Sequence, residues 1–373
     1  MKAQCDRATL TEGVQAALGV VPHRSPKPTL GCIKVEAAPG AVTLLATDLE
    51  VGIRVNLTKV DVQEPGTCLV PAERFHAILR ELEVETVAVS SGDRETEIVA
   101  PGARFKVLGE DPADFPNVPA FPEAGALTIL ADDLAGMIKR TLFATARENT
   151  RYALNGVLWE VEGTNLTLVA TDGRRLSHVK GKCKGGGEKG QSAIVPSKAM
   201  QLIERCLATS GDAKATVRVA IGEKDLLVES PQADGNRWTI YSRLVDGHFP
   251  KYDDVVPKDC DRRATLSTAV FHAAVRKAAL LTNEESRGVH LKFSPEELVL
   301  TSSTPEMGEA EVRIAVSYEG EPLDIGFNPV FLIDALKAMD AEQFTFAFKG
   351  PNKPGVMTED KSFTYVIMPV SIV

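Results

Sequence analysis

The sequence predicts an α+β protein made of three similar domains, each a set of antiparallel strands carrying two helices. Three repeated signals predict it. LLATDLE at 44–50 and LVATDGRRL at 168–176 set Asp48 and Asp172 one third of the 373-residue chain apart. Val70-Pro71 and Val195-Pro196 open apolar-periodic runs, AERFHAIL and SKAMQLIERCL, at nearly the same interval, and PVFLIDALKAM at 329–339 supplies a third. A closing element also recurs: DFPNVP ends at Pro119, HFPKYDDVVP ends at Pro257, and YVIMPV nearly ends the chain. Three kinds of match in the same order define a repeat, with expected domains at 1–125, 126–257 and 258–373, each long enough to bury a core. The third copy is looser, because LVLTSS at 298–303 fills the Thr-Asp slot without its aspartate.

Hydrophobic periodicity gives six helices, two per copy: 7–18, 72–82, 132–147, 197–207, 268–281 and 329–339. Thr9 or Thr11, Asp132 and Ser267 are the expected caps of the first, third and fifth. In the third helix Leu134, Ile138 and Leu142 form the apolar stripe, which leaves Lys139, Arg140 and Arg147 on the other side. Between helices, runs such as TLGCIKVEA, AVTLLATD, ETVAVSSG, TEIVA and RFKVL alternate at period two and are bounded by Gly, Pro and Asp. These read as antiparallel strands with one wet face. The linkers FPEAGALT at 121–128 and VPKDCDRRATL at 256–266 are short, so the domains are expected in a fixed relation.

Composition narrows the function. Hydrophobic content of 44% with 25% charged residues belongs to an ordinary soluble globular protein. No apolar run is long enough to span a bilayer and the first residues lack a signal-peptide core, so a cytoplasmic protein is expected, with no membrane partner. The six cysteines are scattered without a CxxC pair and the six histidines without paired-ligand spacing. No metal, cofactor or disulfide framework is therefore expected.

The net charge of −9 argues against a nucleic-acid partner until its distribution is considered. The six predicted helices hold eleven basic and seven acidic side chains, so they are positive while the remainder is acidic. Helices sharing one surface would make that surface basic. Other motifs carry less. GGGEKGQS at 185–192 has P-loop glycine spacing but Gln191 where the lysine must be, and reads as a surface loop. Asp132-Asp133 and Asp253-Asp254 are adjacent carboxylates that diverge and lack a third ligand, so capping and solvation explain them.

TRYALNGVLWEVEG at 150–163, LVATDGRRL, SRLVDGHFPKYDDVVP at 242–257 and YVIMPV at 365–370 resemble the bacterial sliding clamps, the β subunits of DNA polymerase III. The resemblance runs the length of the chain. It implies the DNA-clamp fold, with antiparallel sheets outside and two helices per domain lining an inner surface. It also implies a homodimeric ring around duplex DNA, bound without regard to sequence, and no catalysis. Partners would be the replicative polymerase, the clamp loader and other proteins bearing a clamp-binding motif; the location would be the nucleoid.

By position, the resemblance implies a partner-peptide pocket formed by Leu154, Thr171, Gly173, Arg174, Arg175, Leu176, Pro250, Val255, Val366 and Met368. Asn328, Phe331, Pro354, Pro369 and Val370 would edge the adjoining groove. Arg24, Arg147 and Tyr152 match positions that reach toward DNA. Ala153 and Glu148 depart from the family there, shifting the expected contacts toward Lys139, Arg140, Lys198, Arg276 and Lys277, with Arg74, Arg80 and Arg205 on the same helix set. Phe105 would meet Leu280 and Leu281 at the dimer seam. Asp254 and the tail MPVSIV also depart from the family pattern and leave the preferred peptide open. An open, peptide-binding scaffold derived from the same fold is the second reading.

Overall fold

The computed structural model of the chain describes residues 1–92, 94–123, 125–146, 152–185, 190–209, 214–231, 236–283 and 288–370. Six α-helices lie among them: α1 (Arg7–Leu18), α2 (Ala72–Glu81), α3 (Ala131–Lys139), α4 (Ser197–Thr209), α5 (Thr268–Ala278) and α6 (Pro329–Ala338). Each sits where the periodicity put it. Two end early. The helix expected over 132–147 stops at Lys139, where the Thr141 hydroxyl donates back to the Met137 carbonyl at 2.8 Å and a 3₁₀ turn, Leu142–Ala144, follows. The helix expected over 268–281 ends at Ala278 and passes into the 3₁₀ turn Ala279–Leu281.

Two caps also differ. Asp6, not Thr9 or Thr11, caps α1: its Oδ1 accepts from the Thr9 backbone N–H at 2.8 Å, while Thr11 donates to the Arg7 carbonyl. Asp132 lies inside the first turn of α3, where its charge faces the positive end of the helix dipole. Ser267 does cap α5, accepting from Val270 N–H at 3.5 Å.

The chain divides into two compact units. The first comprises Met1–Ala135, Glu162–Thr164 and Lys182–Leu244. Its smaller sheet runs Val60–Glu64, Lys2–Asp6, Thr86–Ser91, Glu95–Ala100, Ala103–Leu108, with every pairing antiparallel. Its larger sheet runs Leu127–Leu130, Thr216–Ile221, Asp225–Pro231, Arg237–Arg243, Val51–Leu57, Ala41–Thr47, Cys32–Ala38, Gly66–Pro71. The middle pairing, Val51–Leu57 with Arg237–Arg243, joins the first sequence copy to the second, with Trp238 opposite Val55. Leu10, Val14, Phe75 and Leu79 of α1 and α2 are buried with Leu44, Ile53 and Ile240 of this sheet. Gly13 lets α1 sit close, since a Cβ there would lie 3.0 Å from Leu44 Cδ1.

The second unit comprises Gly136–Val161, Asn165–Gly181 and Val245–Val373. In its large sheet Gly156–Glu162, Asn165–Thr171, Arg175–Lys182, Phe363–Ile367, Gly355–Thr358, Gln343–Phe348, Arg262–Ser267 and Ser317–Glu319 lie in that order. Here Arg175–Lys182 pairs with Phe363–Ile367 and joins the second copy to the third. A four-stranded sheet runs Gly308–Ala315, Glu297–Thr304, Val289–Phe293, Leu323–Phe327. Phe271, Phe293, Phe327, Phe346 and Phe348 fill the core of this unit, Phe346 and Phe348 having ring centroids 4.3 Å apart. Gly355 is forced by that packing, because its Cβ would lie 2.6 Å from Phe346 Cε2.

The Thr-Asp motif is the same turn twice. Asp172 Oδ1 accepts from the backbone N–H groups of Arg174 and Arg175, and Asp48 Oδ1 from those of Glu50 and Val51. Gly173 has φ 86°, and Leu49, in the matching position, has φ 80°, so a branched side chain occupies the left-handed region that favours glycine. In the third copy the strand Glu297–Thr304 runs through the slot without a turn.

Candidate functional site

Arg175 organises the expected pocket. It follows the Asp172 turn at the start of Arg175–Lys182, and only 5% of it is exposed. Three groups hold its guanidinium: Nε donates to Asp172 Oδ2 at 3.0 Å, Nη1 to Asp334 Oδ2 at 2.7 Å and Nη2 to the Phe143 carbonyl at 2.7 Å. It also lies over the Phe331 ring at 4.4 Å and the Phe143 ring at 5.5 Å. Burial opposes its charge, but Tyr365, Asp334 and Asp172 outweigh that and raise the pKa further. Tyr365 donates its hydroxyl to the Phe331 carbonyl at 3.0 Å, and burial pushes that phenol well up. A charge so enclosed, in three directional bonds, is a fixed wall with a fixed shape.

Strand pairing sets Val366 and Met368 beside Arg174–Leu176. Leu176 lies opposite Val366, and Met368 N–H donates to the Arg174 carbonyl at 2.9 Å. The Thr171 hydroxyl donates to the Arg175 carbonyl and accepts from Gly173 N–H, which locks the turn. Leu154 accepts at its carbonyl from Ala146 N–H, beside the Phe143 segment. Val255 ends the 3₁₀ turn Tyr252–Asp254, whose Tyr252 hydroxyl meets Glu160 at 2.6 Å. Pro250 precedes that turn and is exposed. Val370 N–H donates to the Gly326 carbonyl, placing the tail beside Asn328, and Pro354 adjoins Gly355, which pairs with Ile367. Asn328 has a structural duty as well: it is the N-cap of α6, accepting from Val330 N–H at 2.9 Å. Leu154, Leu176 and Val366 are buried, whereas Met368 and Val255 are more than two-fifths exposed.

Several of the cations expected on DNA are already paired. Lys139 meets Asp340 at 2.7 Å, and Arg140 meets Asp340 at 3.0 Å and Glu359 at 3.5 Å. Lys198 is bound to Asp48. Among the described residues Arg205 reaches the carbonyls of Gln201 and Gly19. Arg24, Arg74, Arg80, Arg276 and Lys277 are exposed and meet no carboxylate among the described residues. Arg147 lies outside the described residues, as do Glu148 and the side chain of Tyr152.

Phe105 is half-buried in Ala103–Leu108, an edge strand of the first unit's smaller sheet. Leu280 is 73% exposed in the turn after α5, and Leu281 is half-buried. That turn is tied down by Ser302, donating to the Ala278 carbonyl at 2.6 Å, and Thr304, donating to the Leu281 carbonyl at 3.3 Å. Gly308–Ala315 is likewise an edge strand, of the second unit's four-stranded sheet.

Sequence reasoning missed three residues that hold Arg175: Phe143, Asp334 and Tyr365. Asp334 did leave a signal, as the single carboxylate in PVFLIDALKAM. Among the described residues no group of three His, Cys, Asp or Glu side chains could hold a metal, and no helix is long and apolar enough to cross a membrane. All six cysteines are free; burial pushes the Cys206 thiol up to about 12.

Three family models match in succession: the N-terminal domain of the DNA polymerase III beta subunit over residues 1–119, its central domain over 128–251 and its C-terminal domain over 253–371. The beta sliding clamp of Escherichia coli K12 is 33% identical over 376 aligned positions, covering 100% of both chains. That of Chlamydia muridarum is 31% identical over 373, covering 100% of this chain and 99% of the relative. Among solved structures, the DNA polymerase III subunit beta of Pseudomonas aeruginosa superposes with a TM-score of 0.92 at 30% identity. The sliding clamp of Bacillus subtilis does so with 0.93 at 29%, and in each case both chains are covered completely.

Proposed function

The chain belongs to the DNA polymerase III beta subunit family, and from that premise we infer that it is a DNA sliding clamp, a processivity factor without chemistry of its own. Two copies close into a ring around duplex DNA, and the ring tethers the replicative polymerase, after a clamp loader has placed it. The observation that carries this is the match of all three family domains in order, along a chain that the solved clamps cover from end to end. Closure holds the DNA by topology, so the contacts to phosphate need only be weak and sequence-neutral. We place the protein in the cytoplasm at the nucleoid, where duplex DNA lies.

The domains are read as 1–125, 126–257 and 258–373, in keeping with the three matched segments. The partner-peptide pocket is assigned to the surface around Arg175: Leu154, Thr171, Gly173, Arg174, Leu176, Pro250, Val255, Val366 and Met368, edged by Asn328, Phe331, Pro354, Pro369 and Val370. A rigid wall beside exposed apolar side chains suits an extended peptide with hydrophobic anchors. DNA contacts are assigned first to Arg24, Arg74, Arg80, Arg205, Arg276 and Lys277, whose charges meet no carboxylate among the described residues, and second to Lys139, Arg140 and Lys198, which must share theirs; Arg147 and Tyr152 are assigned by family position. Phe105, Leu280 and Leu281 are assigned to the dimer seam.

Loading tests the function. Placed on nicked circular DNA by a clamp loader, the protein is expected to stay through a high-salt wash and to leave once the circle is linearised. Loss in salt before cutting, or retention on linear DNA with free ends, rejects the ring and leaves the open scaffold.

A further inference from the structure

The two joins between sequence copies are built alike but finished differently. Where Arg175–Lys182 meets Phe363–Ile367, α3 and α6 are bridged by Lys139 and Arg140 on Asp340, with the Arg140 guanidinium 6.0 Å from the Phe363 ring centroid. In the other join, Val51–Leu57 meets Arg237–Arg243. The spacing that carries Asp48 onto Asp172 carries Gln15 and Ala16 of α1 onto Lys139 and Arg140. Aligning the first residues of α4 and α6 puts Ala208 on Asp340, and strand register puts Trp238 on Phe363. Lys139, Arg140 and Asp340 are thus matched by Gln15, Ala16 and Ala208, all uncharged.

A cavity of about 700 Å³ opens at that place, between α1, α2 and α4 and wholly within the first unit. Its floor is buried and apolar: Val55, Leu202, Cys206 and Trp238. The Trp238 indole N–H is buried and has no acceptor among the described residues. Around the rim stand His76, Arg80 and Arg205, with Glu12 as the one acidic side chain among the lining residues. Neither arginine meets a carboxylate among the described residues. The size is that of small-molecule sites, roughly 300–1,000 Å³.

We propose that this cleft is a binding site for a small aromatic anion, an arene carboxylate or sulfonate, whose ring fills the apolar floor and whose oxygens meet the guanidinium groups of Arg80 and Arg205. An apolar floor favours a ring over a bare phosphate, and two guanidinium groups that meet no carboxylate among the described residues favour a negative ligand. The site is separate from the Arg175 surface, and the proposal stands whether or not the ring reading does.

The test uses the full chain with 1-anilinonaphthalene-8-sulfonate as probe. Trp159 and Trp238 are its only tryptophans, so a Trp159→Phe background makes Trp238 the sole energy-transfer donor. Saturable transfer from Trp238 is expected, with one probe per chain. Building in the other join's bridge, Ala16→Arg with Ala208→Asp, is expected to abolish it. Arg205→Glu on the exposed rim is expected to weaken the anionic probe by at least about tenfold, the equivalent of roughly 1.4 kcal/mol. The same change should leave neutral N-phenyl-1-naphthylamine unaffected, and it serves alone if the double variant fails to fold. Absence of saturable transfer, or Arg205→Glu binding the anionic probe as tightly as the parent, overturns the proposal.

Discussion

Arg175 Nη1 and Asp334 Oδ2 lie 2.7 Å apart, so the first residue of one strand is clamped to the middle of α6, 159 positions further along the chain. Without Asp334 the guanidinium keeps Asp172 and the Phe143 carbonyl as hydrogen-bond partners, beside Tyr365 and two aromatic rings. Asp334→Ala is expected to cost about 2 kcal/mol of stability, the scale of a hydrogen bond to a buried charge. It should also weaken binding of a polymerase-tail peptide by about tenfold. Asp334→Asn retains an acceptor and loses less of both. Urea unfolding and calorimetric titration measure the two effects, and unchanged peptide affinity in Asp334→Ala would detach Arg175 from the pocket.

The paired turns allow a reciprocal test. Left-handed backbone costs a branched residue about 1–2 kcal/mol, and glycine returns roughly 0.5–1 kcal/mol of that as chain entropy. Leu49→Gly is therefore expected to stabilise the protein by about 0.5 kcal/mol. Gly173→Ala should destabilise it by about 1 kcal/mol through the backbone alone, because a Cβ there meets nothing within 4 Å. Denaturant midpoints at constant slope decide both signs.

Pairing separates two sets of cations. Arg80→Ala, Arg276→Ala and Lys277→Ala are each expected to reduce the salt dependence of DNA binding by about one unit of slope. Lys139→Ala should leave that slope nearly unchanged and lower the melting temperature slightly, because its charge is spent on Asp340. Binding measured from low to moderate salt separates these outcomes.

Acid should loosen the fold through Asp6 and Asp340. The hydrogen bond from Thr9 holds Asp6 below its ordinary pKa, and the bond from Lys139 does so for Asp340. Both carboxylates are more acidic folded than unfolded. Their contribution is thus complete above the unfolded value, about 3.9, and fades as pH falls through the lower folded values. Unfolding between about pH 6 and pH 2 is expected to show stability declining below about pH 4. Asp6→Asn, which still caps α1, should flatten part of that decline; an unaltered profile would remove Asp6 from the account.

At the assigned dimer seam, Leu280→Asp puts a charge where an exposed leucine now stands. Sedimentation at micromolar concentration is expected to show monomers with an unchanged far-ultraviolet circular dichroism spectrum, melting somewhat earlier because association no longer supports the fold. A persistent dimer would move the seam elsewhere.

How much was legible in the sequence varies with the range of the interaction. The six helices and the Asp172 turn were legible because their causes are local: apolar spacing in PVFLIDALKAM, and an aspartate two and three residues before the amides it accepts from. The Asp6 cap was missed because the apolar pattern suggested a start at the threonines, although Asp6 stands just before the helix. Arg175 was found by family position, but Asp334 and Phe143 were not, since nothing in a single sequence ties positions 159 and 32 residues away to it. Of the three cations expected on the third helix, α3 carries Lys139 and Arg140 follows its end, and the pairing of both with Asp340 was missed because Asp340 lies 201 positions from Lys139. Position along a helix gives the sign of a face, whereas only the fold says which charges are already neutralised.

The strand join at Val51–Leu57 and Arg237–Arg243 has a kinetic side. Thr58 N–H donates to the Asn236 side chain 178 positions away, so this part of the sheet cannot be completed until well over half the chain exists. Long-range pairing of this kind slows folding and keeps the ladder amides of Val51–Leu57 waiting during synthesis. A fragment cut after the first copy would present that strand as a bare edge beside Ala41–Thr47. Such a piece should exchange strands with a second fragment or aggregate, even though its sequence looks like a self-sufficient domain.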